Sequence, residues 1–176
     1  MNNPVLLENL RCIPDFPKKG INFRDITTLY KNPECMKIMV DEMCELYKDK
    51  GITKIVGIES RGFVMAAALA TKLGAGVVLA RKPGKLPATV IKESFSKEYG
   101  VDTVEMHIDS IDENDVVLIH DDLLATGGTA KATLKLVNHF HPKKVYMNFI
   151  IEITDEGLHG RDCLEKDVEV TTLMVI

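Results

Sequence analysis

Apolar positions along the chain alternate between two spacings. Met36, Met39, Val40, Met43 and Leu46 recur every three or four residues, which predicts a helix from 33 to about 50. Asn32 is its cap, Pro33 takes its first position, and Gly51 ends it. The short apolar run 52–58 reads as a buried strand, and an apolar helix follows from 63 to about 73. Further strands are expected over 76–80, 116–119, 144–151 and about 168–175, with a helix over 131–140. Residues 101–108 set Val104, Met106 and Ile108 against Thr103, Glu105 and His107, the alternation of a half-buried strand. After Pro4, residues Val5, Leu6, Leu7, Leu10 and Ile13 mark a helical face over 5–13. Strands that alternate with helices, one of them wholly apolar, predict an α/β fold with a central, mostly parallel sheet flanked by helices. Ligands of such sheets sit at the carboxyl ends of the strands. The loops after Ile58, Ala80, Ile119 and Ile151 therefore converge on one region.

Two stretches break the pattern. Residues 14–20 form a rigid loop rich in Pro and Gly. Residues 81–100 are polar and show no period, and about twenty such residues inside a compact domain mark a lid or binding loop.

A chain of 176 residues is expected to form a single domain. Its net charge of −4 argues against a nucleic-acid binder, so any anionic ligand needs a local cluster of donors. Cys12, Cys35, Cys44 and Cys163 form no C-x-x-C pair, and no secretory apolar segment opens the chain. They read as reduced thiols in the cytoplasm. No apolar run reaches the roughly 18 residues of a membrane span.

The chemistry concentrates after Ile119. His120 is followed by Asp121 and Asp122, then by Ala125, Thr126, Gly127, Gly128 and Thr129, then by a helix. Paired carboxylates accept hydrogen bonds from vicinal hydroxyls. Small residues let backbone N–H groups close on a phosphate, and a helix N-terminus adds positive potential. The order predicts a pocket for a phosphorylated sugar. The turn Glu59-Ser60-Arg61-Gly62 lacks the Lys-Ser/Thr of a P-loop, so it is either an anion site or a tight turn with an exposed Arg. Arg81, Lys82 and Lys85, spaced by Pro83 and Gly84, are either a solvated run or part of an anion site. Arg24 either pairs with Asp25 or joins Phe23 in a site for a planar ligand. His120 reads as a packed strand-end residue, and His139 and His141 as solvated.

The stretch 116–130 resembles the PRPP (phosphoribosyl pyrophosphate) motif of type I phosphoribosyltransferases. Six stretches in order, 13–17, 23–27, 59–63, 81–87, 98–100 and 121–129, narrow the resemblance to the adenine phosphoribosyltransferase family. The resemblance implies a type I phosphoribosyltransferase fold over 1–176, with a small hood from about 1–30 and 153–165 and a flexible lid over about 81–100. It implies purine salvage: adenine and PRPP give AMP and pyrophosphate, with magnesium carried by PRPP rather than held directly by protein side chains. Asp121 and Asp122 would hold the ribose, and Ala125, Thr126, Gly127, Gly128 and Thr129 the 5′-phosphate. Glu59, Ser60, Arg61, Arg81, Lys82 and Lys85 would hold pyrophosphate, and the resemblance admits a cis Glu59–Ser60 peptide. Asn22, Phe23, Arg24 and Ile153 would bind adenine. Glu98 would handle its proton from the lid, beside Tyr99. A homodimer is implied, with no nucleic-acid or membrane partner. Two alternatives share the fold: a PRPP-binding regulator without catalysis, and an enzyme for another base.

Overall fold

The protein is described from a computed structural model covering residues 2–96 and 100–176. Its elements are α1 (Pro4–Asn9), β1 (Arg11–Ile13), β2 (Phe23–Asp25), α2 (Thr27–Tyr30), α3 (Pro33–Tyr47), β3 (Lys54–Ile58), α4 (Gly62–Leu73) and β4 (Gly76–Ala80). They continue with β5 (Val90–Ser96), β6 (Val101–His107), β7 (Val116–Leu124), α5 (Gly128–Asn138), β8 (Lys144–Glu152) and β9 (Glu169–Val175). The apolar run before Asp121 becomes β7, the middle strand of a five-stranded parallel sheet ordered β4-β3-β7-β8-β9.

Side chains alternate across this sheet with period two. Ile55, Leu118, Ile150 and Leu173 pack with Met39, Met43, Met65 and Leu69 of α3 and α4. Val56, Ile119, Met147 and Phe149 pack on the other face with Leu134 and Val137 of α5 and with Val104 and Met106 of β6. Both faces are covered, which is why the central strands read as continuous apolar runs.

Three local expectations are corrected. The N-terminal helix stops at Asn9, because residues 11–13 pair antiparallel with 23–25. Leu10 and Ile13 keep helical spacing by coincidence, and the Arg11–Asp25 ion pair holds the hairpin instead. Residues 90–96, inside the stretch read as patternless, form β5 and pair antiparallel with β6. Ile91 and Phe95 pack on the core, but Glu93 between them interrupts the apolar face, its charge met by Lys135 at 2.7 Å. Glu105, on the polar side of the β6 alternation, is buried, and its Oε2 accepts from Gly84 N at 3.0 Å. The loop after β4 is thus tied to β6.

One row of the sheet is polar. Gly57, His120, Asn148 and Thr171 are successive register partners across four strands. His120 Nδ1 lies 3.0 Å from Asn148 Oδ1, and Asn148 Nδ2 donates to Thr171 Oγ1 at 2.8 Å. Tyr47 reaches down from α3 with its hydroxyl donating to Met147 O at 3.2 Å and lying 2.6 Å from Thr171 Oγ1. Burial opposes charge here, pushing the Tyr47 hydroxyl up to about 12 and the His120 imidazole down to about 4.

A pH dependence follows with a definite sign. Between the usual histidine value of 6.5 and about 4, the unfolded chain protonates His120 and the folded chain does not. The contribution is complete above pH 6.5, falls with pH, and levels off below about 4, a swing of up to about 3 kcal/mol. Urea denaturation across this range should show a flatter acid limb for His120→Leu than for the unsubstituted chain. Identical limbs would contradict a neutral, buried His120.

Candidate active site

β3 and β7 lie where the sheet order reverses, since the chain steps outward from β3 to β4 and, after β5 and β6, returns to the other side of β3 as β7. Their carboxyl ends diverge and leave a crevice. The turn after β3 carries a cis Glu59–Ser60 peptide and Arg61, then enters α4. That entry is close. A Cβ at Gly62 would stand 2.7 Å from His120 O and 3.1 Å from Asp121 Oδ1, so only glycine lets α4 start against β7. A Cβ at Gly57 would stand 2.9 Å from Ala66 Cβ, which makes the same demand one turn further on.

This approach delivers Arg61 to the acids. Its Nε lies 2.8 Å from Asp122 Oδ2, and Asp122 N donates to Asp121 Oδ1 at 2.9 Å. β7 continues through both acids to Leu124 instead of ending at Ile119, so they are held by strand backbone. Burial pushes the Asp121 carboxyl well above the usual range, and the Asp122 charge adds to it. Burial also raises Asp122, while Arg61 pulls it back. The Arg61 guanidinium sits 5.7 Å from the Phe23 ring, between Asp122 and β2. Its backbone carbonyl accepts from Tyr30 Oη at 3.0 Å. Tyr30 was not legible as a site residue, because its four-residue helix carries no motif. Burial, and after it the charges of Asp122 and Asp121, raises the Tyr30 hydroxyl above its ordinary value.

Asp121 and residues 123–130 line a hollow of about 110 Å³. Gly127 adopts φ +78° at the start of α5, where no side chain caps the helix. The first amides of α5 therefore face a position suited to an anion. Thr129 also lines a second hollow of about 160 Å³, shared with Glu59, Arg81, Lys82, Asp102 and Thr103. Here Glu59 Oε2 accepts from Lys82 N at 2.9 Å and Arg81 Nε at 3.2 Å, and these contacts hold its carboxyl below the ordinary value despite burial. Arg81 Nη1 donates to Lys85 O at 3.0 Å, which folds the basic loop back on itself. Asp102 and Thr103 join this wall from β6, a placement that only the β5–β6 pairing reveals. A larger hollow of about 540 Å³, between Arg161, Leu164 and Val170, contains none of these residues.

At the β1–β2 hairpin, Phe16 stacks edge-on against Phe23 with centroids 5.3 Å apart. Arg24 does not pair with Asp25. Adjacent strand residues face opposite ways, so Asp25 turns to Thr27 and Arg11, whose hydrogen bonds pull its carboxyl down to about 2. Arg24 instead places Nη2 2.8 Å from Asp155 Oδ2 and Nη1 2.6 Å from Cys12 Sγ. Ile153 is buried, with its N–H on Leu124 O at 2.9 Å, and Asn22 is exposed. Asp121, Asp122, Arg61, Phe23 and the 125–129 loop thus gather around the crevice, with Arg81 and Lys82 beside it. Glu98 and Tyr99 lie outside the described residues.

Comparison with known proteins adds a family. Residues 25–167 match the family model described as a phosphoribosyl transferase domain. The adenine phosphoribosyltransferase of Phocaeicola vulgatus is 60% identical over 176 residues, covering 100% of both chains. The crystal structure of adenine phosphoribosyltransferase from Rhodothermus marinus superposes with a TM-score of 0.91 at 47% identity, covering 98% of this chain and 97% of that one. The enzyme from Giardia lamblia, complexed with 9-deazaadenine, gives a TM-score of 0.92 at 38% identity, covering 100% and 98%. With this sheet, this crevice and these relatives, the chain belongs to the adenine phosphoribosyltransferase family and has the type I phosphoribosyltransferase fold.

Proposed function

We propose that the crevice moves the 5-phosphoribosyl group of PRPP onto N9 of adenine, giving AMP and pyrophosphate in purine salvage. The observation that carries this reading is the convergence of two adjacent carboxylates, Asp122 buried and Asp121 half-buried, with an uncapped glycine-rich helix start and an aromatic ring beside Arg61. In this reading Asp121 and Asp122 accept hydrogen bonds from the two ribose hydroxyls. The amides of Ala125, Thr126, Gly127, Gly128 and Thr129, with the two threonine hydroxyls, take the 5′-phosphate. Phe23 stacks on adenine between the hood and Ile153, with Arg24 and the backbone near Asn22 at its edge. The purine analogue bound by the Giardia relative supports a base of this class.

The bond from C1′ to pyrophosphate breaks as the bond to N9 forms, so positive charge develops on the ribose and negative charge on the leaving group. Arg61 is proposed to exchange its bond to Asp122 for one to pyrophosphate, joined by the Glu59-Ser60 turn, Arg81, Lys82 and Lys85. The lid over about 81–100 excludes water from the oxocarbenium-like centre and brings Tyr99 and Glu98 over the base. Glu98 takes the proton that N9 gives up.

Magnesium is proposed to arrive on PRPP. Among the described residues no group of three or more His, Cys, Asp or Glu side chains is placed to hold a metal. Asp121 and Asp122 nonetheless offer hard oxygen donors at the sugar. Magnesium commonly keeps its waters and takes one or two carboxylates beside substrate phosphates, and this donor set fits that habit. When bound, it neutralises charge on the pyrophosphate. A cytoplasmic homodimer completes the proposal, in which the hood of about 1–30 and 153–165 belongs to the same single domain as the sheet. The four cysteines are unpaired, and among the described residues no helix is long and apolar enough to cross a membrane.

Pyrophosphate release from PRPP, measured with adenine, hypoxanthine and guanine in turn, tests the function. Release with adenine alone is expected; preference for a 6-oxopurine, or no release with any base, would refute it. Replacing Asp121 and Asp122 together by Ala should abolish PRPP binding in calorimetry, and unchanged affinity would rule out the ribose site. Glu98→Gln should lower turnover by about 10²–10⁴-fold, the usual worth of proton handling, while PRPP affinity stays near its original value. Undiminished turnover would remove Glu98 from the mechanism.

A further inference from the structure

The 125–129 loop has a backing. The 3-10 turn Gly160–Cys163 lies against it, backbone to backbone. A Cβ at Gly160 would stand 2.3 Å from Ala125 O and 3.0 Å from Gly127 N. A Cβ at Gly127 would stand 2.4 Å from Gly160 O and 2.3 Å from Cys163 Sγ. Side chains do not survive at such distances, so the contact exists only because both surfaces are glycine. Gly127 and Gly160 are both buried. Cys163 fills the adjoining space, its Sγ 3.0 Å from Gly160 O and 3.6 Å from Thr126 O.

The turn takes its own position from the sheet. Arg161 Nε donates to Glu152 Oε1 at 2.9 Å, Nη2 adds a second bond to Oε2, and Nη1 donates to Val170 O at 2.7 Å. Glu152 ends β8 and Val170 lies in β9. Thr172 Oγ1 approaches Glu152 Oε2 at 3.4 Å, and Leu164, the residue after the turn, is buried in the core. A two-pronged Arg–carboxylate pair fixes direction as well as distance. The chain of contacts runs from the end of β8 and the start of β9 through Arg161 to Gly160, and from Gly160 to the backbone of Ala125 and Gly127.

We infer that Gly160 is a positioning residue of the 5′-phosphate site, holding the 125–127 backbone so that the loop amides face the crevice, with the Glu152–Arg161 pair fixing Gly160 in turn. The inference rests on the reading of 125–129 as the phosphate loop. Any side chain at 160 must push that loop, and small misplacements of binding groups cost large factors.

Calorimetry with ribose 5-phosphate and with pyrophosphate, together with separate KM values for PRPP and adenine, tests it. The Gly160→Ala chain should lose at least about tenfold in ribose 5-phosphate affinity and gain as much in KM for PRPP. Its pyrophosphate affinity and its KM for adenine at saturating PRPP should stay near the original values. Arg161→Gln, which leaves Gly160 in place, should shift the same two quantities in the same direction by less. It carries the test alone if Gly160→Ala does not fold. Unchanged ribose 5-phosphate affinity in a folded variant, or an equal loss for all ligands, would overturn the positioning role. If the unsubstituted chain binds pyrophosphate but no ribose 5-phosphate, the phosphate-loop reading itself fails, and the inference with it.

Discussion

Two carboxylates stand side by side at the end of a buried strand, and most of the architecture can be traced to that arrangement. Asp121 and Asp122 repel one another, and burial strips away the water that would stabilise their charge. The arrangement is tolerable because Arg61 lies 2.8 Å from one of them. Arg61 can reach only because α4 begins against the β7 backbone, and that needs glycine at 62 and a thin strand at Gly57. A crevice that carries its own cation between acids and aromatic ring is arranged for exchange. An incoming ligand with hydroxyls for the acids and an anion for the arginine can replace each partner that it separates.

The same economy recurs at the edges of the site. A single glycine, Gly62, lets α4 meet the β7 backbone, and the pair Gly127 and Gly160 does the same for the 125–127 loop and the 160–163 turn. Ion pairs then fix the parts that glycine leaves free. Arg161 ties the turn to Glu152, Arg24 ties β2 to Asp155, and Glu59 gathers Arg81 and the Lys82 amide. Each joins segments distant in the chain at the mouth of the sheet.

How much of this was legible in the sequence depended on the range of the interaction. Local signals were sufficient for α3, where Asn32 accepts from the amides of Glu34 and Cys35 as its cap position implies. They were sufficient for the central strands, because burial on both faces leaves an unbroken apolar run. β5 escaped notice because Glu93 sits on its inner face, neutralised by a lysine on α5 that no local window contains. The N-terminal hairpin escaped because its partner strand alone decides that residues 11–13 are extended. Neighbouring sequence offers Arg24 only Asp25 as an ion-pair partner, whereas its partner in the fold is Asp155. The paired acids and the glycine-rich loop stood out because their chemistry is contiguous in sequence. Tyr30 and Gly160 did not, because their importance comes from contacts made only by the folded chain.

The central claim is that the acid pair is a ribose site temporarily held by Arg61. A crystal structure with AMP bound tests it most directly. The account predicts the ribose hydroxyls on Asp121 and Asp122, the phosphate on the amides of 125–129, the purine against Phe23, and Arg61 withdrawn from Asp122. AMP bound elsewhere, or bound here with the Arg61–Asp122 pair intact and the acids untouched by the sugar, would contradict it.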